Sequence, residues 1–151
     1  MKSRTRARSL ALQVLYEVDM SDHLPGIVLQ ERLEEAKAEG QLELSPDLVE
    51  FARQIISGIL PIADQLDDII AIYAPEWPFD QIAAIDRNIL RMATWEFAVS
   101  AQTPVKVAIN EAVELAKLFG SDNSSRFING VLGSLADHEY EISQQFNKGI
   151  V

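Results

Sequence analysis

Five residues near the start of the chain, Arg4, Arg6, Arg8, Gln13 and Tyr16, have the types that hold a single-stranded nucleic acid. Such strands are held by cations that follow the phosphates and by aromatic rings on which unstacked bases lie. The arginines supply the first and Tyr16 the second. The Gln13 amide carries both a donor and an acceptor with which to read a base edge. On a helix, Arg6, Gln13, Tyr16 and Met20 recur at spacings of seven, three and four, which gathers a cation, an amide and a ring on one outer face. A buried Tyr16 beside an idle Gln13 is the plainer alternative, and the residues by themselves leave both open.

Catalytic chemistry finds less to work with. With 0 cysteines there is no disulfide, thiolate metal site or cysteine nucleophile, and the 2 histidines, His23 and His138, argue against a histidine-rich metal site. The chain has no phosphate-binding glycine loop, no G-x-S-x-G, no H-E-x-x-H and no acidic calcium loop. Asp67-Asp68 and the pair Glu111 and Glu114 can be drawn as acid/base couples, but acids so spaced on helices are usually solvated surface. A binding protein without metal or cofactor is expected, not an enzyme.

Charge is unevenly spread. The chain of 151 residues has a formal net charge of −10, which argues against indiscriminate adhesion to nucleic acid. Yet Lys2, Arg4, Arg6 and Arg8 all precede the first acid, Glu17, leaving 9 of the 13 basic residues against 23 acids elsewhere. The amino terminus is therefore a local basic patch on an acidic body, with a solvated tail as the competing explanation. The longest apolar stretch, Ile55 to Ala63, is interrupted by Ser57, Gly58 and Pro61 and is far short of the ~20 residues that span a bilayer. Gln13, Glu17 and Asp19 break the secretory-signal pattern of the first residues, so they read as a mature helix and the protein as cytoplasmic.

The elements that would position these residues are helices throughout. Ala7, Leu10, Ala11, Val14 and Val18 form the buried stripe of a first helix over Ser3 to Met20, with Ser3 as its cap. A second, Ile27 to Glu39, sets Val28, Leu29, Leu33 and Ala36 against a solvated face of Glu31, Glu34, Glu35 and Glu39 and stops at Gly40. Ser45-Pro46-Asp47 starts a third, whose core stripe is Leu48, Phe51, Ala52, Ile55 and Ile59, and which Pro61 is expected to kink without ending it. Ala74 to Pro78 breaks the chain between two halves, about 1–74 and 79–151. A fourth helix runs from an Asp80 cap through Ala98, a fifth from Thr103-Pro104 to Gly120, and a sixth from Asn123 or Ser124 to about Asn147. No strand alternation appears, so the fold class is all-α.

Three stretches carry a family resemblance. They are Arg6 to Tyr16 (RARSLALQVLY), Ile85 to Glu96 (IDRNILRMATWE), and Thr103 to Gly120 (TPVKVAINEAVELAKLFG) followed by Ser125 to Gly133 (SRFINGVLG). In this order and over nearly the whole chain they resemble the NusB family of transcription antitermination factors. Much of the third stretch is also a packing and capping code, in Ala108, Ala112, Ala116 and Val131. Asn110 and Asn129 stand out as polar residues on packed helices that would tie neighbouring segments together.

The resemblance implies one RNA-binding domain over 1–151, a bundle of two three-helix halves. It also implies binding to the single-stranded boxA element of ribosomal RNA transcripts together with NusE, a small-subunit ribosomal protein, within antitermination complexes on RNA polymerase. Carried over by position, the RNA surface takes in Arg4, Arg6, Arg8, Gln13 and Tyr16, joined by Arg87, Arg91 and the helix start at Asn123, Ser124 and Phe127, while Asp86 lies beside the NusE-facing surface. Members often carry an acid where Asn123 stands, which implies weaker repulsion of RNA here. Two alternatives remain: a helical protein-binding adaptor without RNA contact, and a stand-alone relative of the RNA-binding part of ribosomal RNA cytosine methyltransferases. The residues leave homo-oligomerisation open.

Overall fold

The computed structural model describes residues 2–41 and 43–148, so Met1 and residues 149–151 of the expected 1–151 domain lie outside the described residues. Among the described residues there is no strand. The chain divides into two compact units, Met1–Leu60 and Pro61–Val151. This seam falls before the expected break at residues 74–79 because the helix preceding that break packs on helices that follow it.

The first unit holds three helices, α1 (Ser3–Met20), α2 (Pro25–Ala38) and α3 (Pro46–Ile59). Helix α1 packs on both others. Its burial is wider than one stripe: Leu12 and Leu15 are as buried as Ala7, Ala11 and Val14. Each such leucine contributes about 1.5–3 kcal/mol relative to an exposed one. Lys2, not Ser3, occupies the cap position of α1, with no side-chain capping bond. Helix α2 starts two residues early because Pro25 suits a first turn that lacks hydrogen-bond partners anyway. Its end is as expected: Gly40 adopts φ 75°, a left-handed conformation that glycine reaches without steric cost. At α3 the Ser45 hydroxyl accepts from the Leu48 N–H at 3.3 Å, and Ala52, Ile55, Ile56 and Ile59 form the core face.

Pro61 ends the helix instead of kinking it. A 3-10 turn, Leu60–Ile62, separates α3 from α4 (Ala63–Tyr73). The second unit continues with a 3-10 turn at Phe79–Gln81, α5 (Ala84–Thr94), a π-helical turn at Trp95–Val99, α6 (Val105–Phe119), α7 (Ser124–Ala136) and α8 (Glu139–Lys148). Asp80 sits in the 3-10 turn, and Ala83 caps α5 in its place. The expected sixth helix is two, α7 and α8, parted at Asp137 and His138, where the His138 N–H bonds back to the Leu135 carbonyl at 2.9 Å. Helix α5 packs on α4, α6 and α7, around Ile89, Leu90, Met92, Leu115, Ile128 and Leu132.

Candidate nucleic-acid interface

The outer face of α1 forms as its spacing predicts. Arg6 and Gln13 are half-buried, and Tyr16 and Met20 are exposed. The Gln13 amide is pinned at both ends: its Nε2 donates to the Ser9 carbonyl at 3.2 Å, and its Oε1 accepts from the Arg32 guanidinium at 3.2 Å. The same guanidinium donates to Glu17 Oε1 at 3.0 Å, and Glu17 Oε2 pairs with His23 Nδ1 at 2.9 Å. Above all the His23 hydrogen bond, and with it the hydrogen bond and charge of Arg32, hold the Glu17 carboxyl below its ordinary value against a smaller opposing effect of desolvation. Arg32 comes from α2, where it is a lone cation between Ile27 and Ala36 on an acid-rich helix. That isolation is the one trace it leaves in the sequence.

Arg4 and Arg8 do not join this face. At about 100° per residue Arg4 lies about 160° from Arg6 but only about 40° from Arg8. Their guanidinium carbons sit 4.5 and 5.2 Å from the centre of the Phe51 ring on α3, where a cation is attracted by the ring face. This explains why Phe51, expected in the core stripe, is only half-buried. Arg4 stays exposed, whereas Arg8 is 3% exposed and its charge is turned inward. The five amino-terminal residues therefore divide into Arg6, Gln13 and Tyr16 on one side and Arg4 and Arg8 on the other.

In the second unit the carried-over residues also differ in reach. Arg91 is 8% exposed and grips Asp67 on α4 with Nε and one terminal nitrogen, while the other terminal nitrogen donates to Asn88 at 3.3 Å. A guanidinium so used is a brace between helices and has no face left for a phosphate. Arg87, on the next position round α5, is half-buried. Asp86 is 7% exposed, so it cannot receive a partner's cation directly as a surface acid would. Its Oδ2 instead accepts from the Ser124 hydroxyl at 3.1 Å, and its Oδ1 is buried without a hydrogen-bond partner among the described residues. Burial raises the Asp86 carboxyl above its ordinary value, and the Ser124 hydrogen bond offsets part of the rise.

Ser124 is itself buried and takes a second bond, from the Ser121 N–H at 2.9 Å, so that Asp86, Ser121 and Ser124 together set the turn between α6 and α7. Gly120 is part of this turn for reasons of space: its φ of −90° suits any residue, but a Cβ there would collide with Ser124 and lie 2.8 Å from the Ala116 carbonyl oxygen. Asn123 is exposed at the cap of α7. Phe127 is half-buried, its ring edge-on to Trp77 at 6.4 Å. Asn110 and Asn129, expected to tie helices together, are exposed; the buried amide is Asn88, which donates to the Ala84 carbonyl.

Comparison with known proteins accords with this architecture. The NusB family profile matches residues 5–137. The transcription antitermination protein NusB of Roseiflexus sp. (strain RS-1) is 46% identical over 140 residues, which cover 91% of this chain and 94% of that protein. The solved NusB of T. maritima is 31% identical, covers 93% of this chain and 90% of its own, and superposes with a TM-score of 0.73. A chain from the crystal structure of antitermination factors NusB and NusE in complex with dsRNA shares the fold at a TM-score of 0.75, with 24% identity over 96% of this chain and 98% of that one. With a profile match along most of its length and end-to-end similarity at this identity, the chain belongs to the NusB family.

Proposed function

We propose that the protein is a transcription antitermination factor that binds the boxA element of nascent ribosomal RNA together with NusE and assembles with it on RNA polymerase. The observation that carries this is the length of the match: relatives named transcription antitermination protein NusB align with nearly the entire chain, with no large part of either protein left over. The outer face of α1 supports it chemically, because an exposed ring, an oriented amide and a cation are what an unstacked strand requires. Arg4, Arg6, Gln13 and Tyr16 are the residues we assign to RNA in the first unit, and Arg87, Asn123 and Phe127 in the second. Arg8, Arg91, Ser124 and Asp86 act from beneath as supports. The protein works in the cytoplasm as a binding factor and not as an enzyme; among the described residues no helix is long and apolar enough to cross a membrane.

The test is an RNA gel shift with a boxA oligonucleotide, with and without NusE, on the wild type and on Tyr16→Ala. We expect NusE to tighten RNA binding and RNA to tighten NusE binding by the same factor, as linkage requires. Tyr16→Ala should lower RNA affinity by about 1–3 kcal/mol if a base stacks on it. Absence of RNA binding in both conditions would reduce the protein to an adaptor.

A further inference from the structure

The Gln13 amide is held more firmly than a surface glutamine needs to be. A glutamine side chain free to rotate offers its carbonyl and its amino group in either order, so it reads no particular base edge. Here Oε1 is clamped by Arg32 and Nε2 by the Ser9 carbonyl, which sets the order once and leaves one N–H and one lone pair unused among the described residues. Arg32 is in turn held in place, because its other terminal nitrogen lies on Glu17, one helical turn beyond Gln13, and Glu17 is gripped from the far side by His23. The guanidinium thus spans two α1 residues with its charge already matched by a carboxylate. Such an arginine is poorly placed to neutralise a phosphate but well placed to orient a neighbour. Tyr16 stands three residues from Gln13 on the same exposed face, where a base stacked on its ring would bring an edge to the amide.

We propose that Arg32 is a positioning residue for base recognition: it fixes the Gln13 amide in one orientation, so that the α1 face discriminates bases carrying an exocyclic amino group from those carrying an oxo group at one RNA position. Adenine and cytosine place an amino donor beside a ring-nitrogen acceptor, guanine and uracil place an oxo acceptor beside a ring N–H, and an amide of fixed orientation complements one order and mismatches the other. This rests on the assignment of the α1 outer face to RNA made above.

The experiment measures affinities of the full chain, with NusE present, for a boxA RNA and a set of variants in which each base in turn is exchanged for the other class, A for G and C for U. The wild type should lose about tenfold in affinity at one position that Gln13→Ala also erases. Arg32→Ala should shrink that loss to about twofold while leaving the other positions and the salt dependence as they were. Arg32→Lys is the control for stability: a lysine can still pair with Glu17, so its unfolding midpoint should stay near the wild type, yet a single ammonium cannot hold both Glu17 and Gln13 and discrimination should still fall. Unchanged discrimination in both variants, or equal weakening across every RNA, would overturn the proposal and leave the function intact. A wild type that binds none of these RNAs would instead remove the functional assignment, and this inference with it.

Discussion

Arg91 holds Asp67 through two parallel hydrogen bonds, Nε to Oδ1 at 2.7 Å and a terminal nitrogen to Oδ2 at 2.6 Å, and so fastens α5 to α4. The side chains are only 10% and 18% exposed, so the pair is shielded from most of the screening that weakens surface ion pairs. Removing one partner strands the other charge. Asp67→Ala should therefore destabilise the protein by about 3–5 kcal/mol in urea unfolding, whereas Asp68→Ala, at the neighbouring exposed position, should cost less than about 0.5 kcal/mol. Equal effects would mean that the brace is solvated.

The burial of Arg8 changes what is expected of RNA binding in salt. Three arginine–phosphate contacts would give a slope of log K against log salt of roughly −2, at about −0.7 each; Arg4 and Arg6 by themselves give about −1.4. Arg4→Gln should flatten the slope by about 0.7 and Arg8→Gln should leave it unchanged. A fall on replacing Arg8 would show that its guanidinium leaves Phe51 when RNA binds.

Gly120→Ala tests the turn between α6 and α7. Backbone conformation permits the alanine, but its methyl would enter the space of the Ser124 side chain, which could clear it only by releasing Asp86 and the Ser121 N–H. A loss of about 1–3 kcal/mol is expected, with thermal unfolding as the measurement. Ser124→Ala in the same background should cost little further, since the bond it removes is already broken.

Asp86 and Glu17 should shape acid stability in opposite directions. The Asp86 carboxyl is raised on folding, so between the ordinary carboxyl range and its folded value the native state holds more proton than the unfolded chain, and stability falls as pH rises through that window. Glu17 is lowered, so what it contributes is complete above its ordinary value and is lost as pH falls through its folded one. Urea midpoints followed from neutral to acidic pH should show Asp86→Asn gaining most over the wild type at neutral pH, the advantage shrinking on acidification. Parallel curves would mean that Asp86 titrates alike in both states.

What could be read in advance follows from range. Capping, periodicity and glycine conformation act within a turn or two, and the helices at Ser45-Pro46 and the stop at Gly40 were legible for that reason. The exposed row of Arg6, Gln13 and Tyr16 was legible too, being a property of one helix. Which side of α1 meets α3 is a tertiary fact, so nothing in the arginine spacing separated Arg4 and Arg8, drawn to Phe51, from Arg6. Arg32 and Asp67 were opaque for the same reason: each is 15 or more residues from the group it holds, and an exposed acid and a bracing one look alike in sequence. Pro61 and the Asp137–His138 break show a smaller loss, where a helix boundary was misjudged by local rules that permit either outcome.

The wide turn at Trp95–Val99, where the Ser100 N–H reaches back five residues to the Trp95 carbonyl at 2.9 Å, amounts to one residue more than an α-helix would use. A sequence shortened by one residue here would close into an ordinary helix without a gap, yet everything after it would be turned by about 100°. Thr103, whose hydroxyl now donates to the buried Glu96 at 3.3 Å, would swing away, and the acid would be left without it. Length in this stretch is thus under stricter control than composition: many side chains could stand at these five positions, but the tally of residues cannot drift.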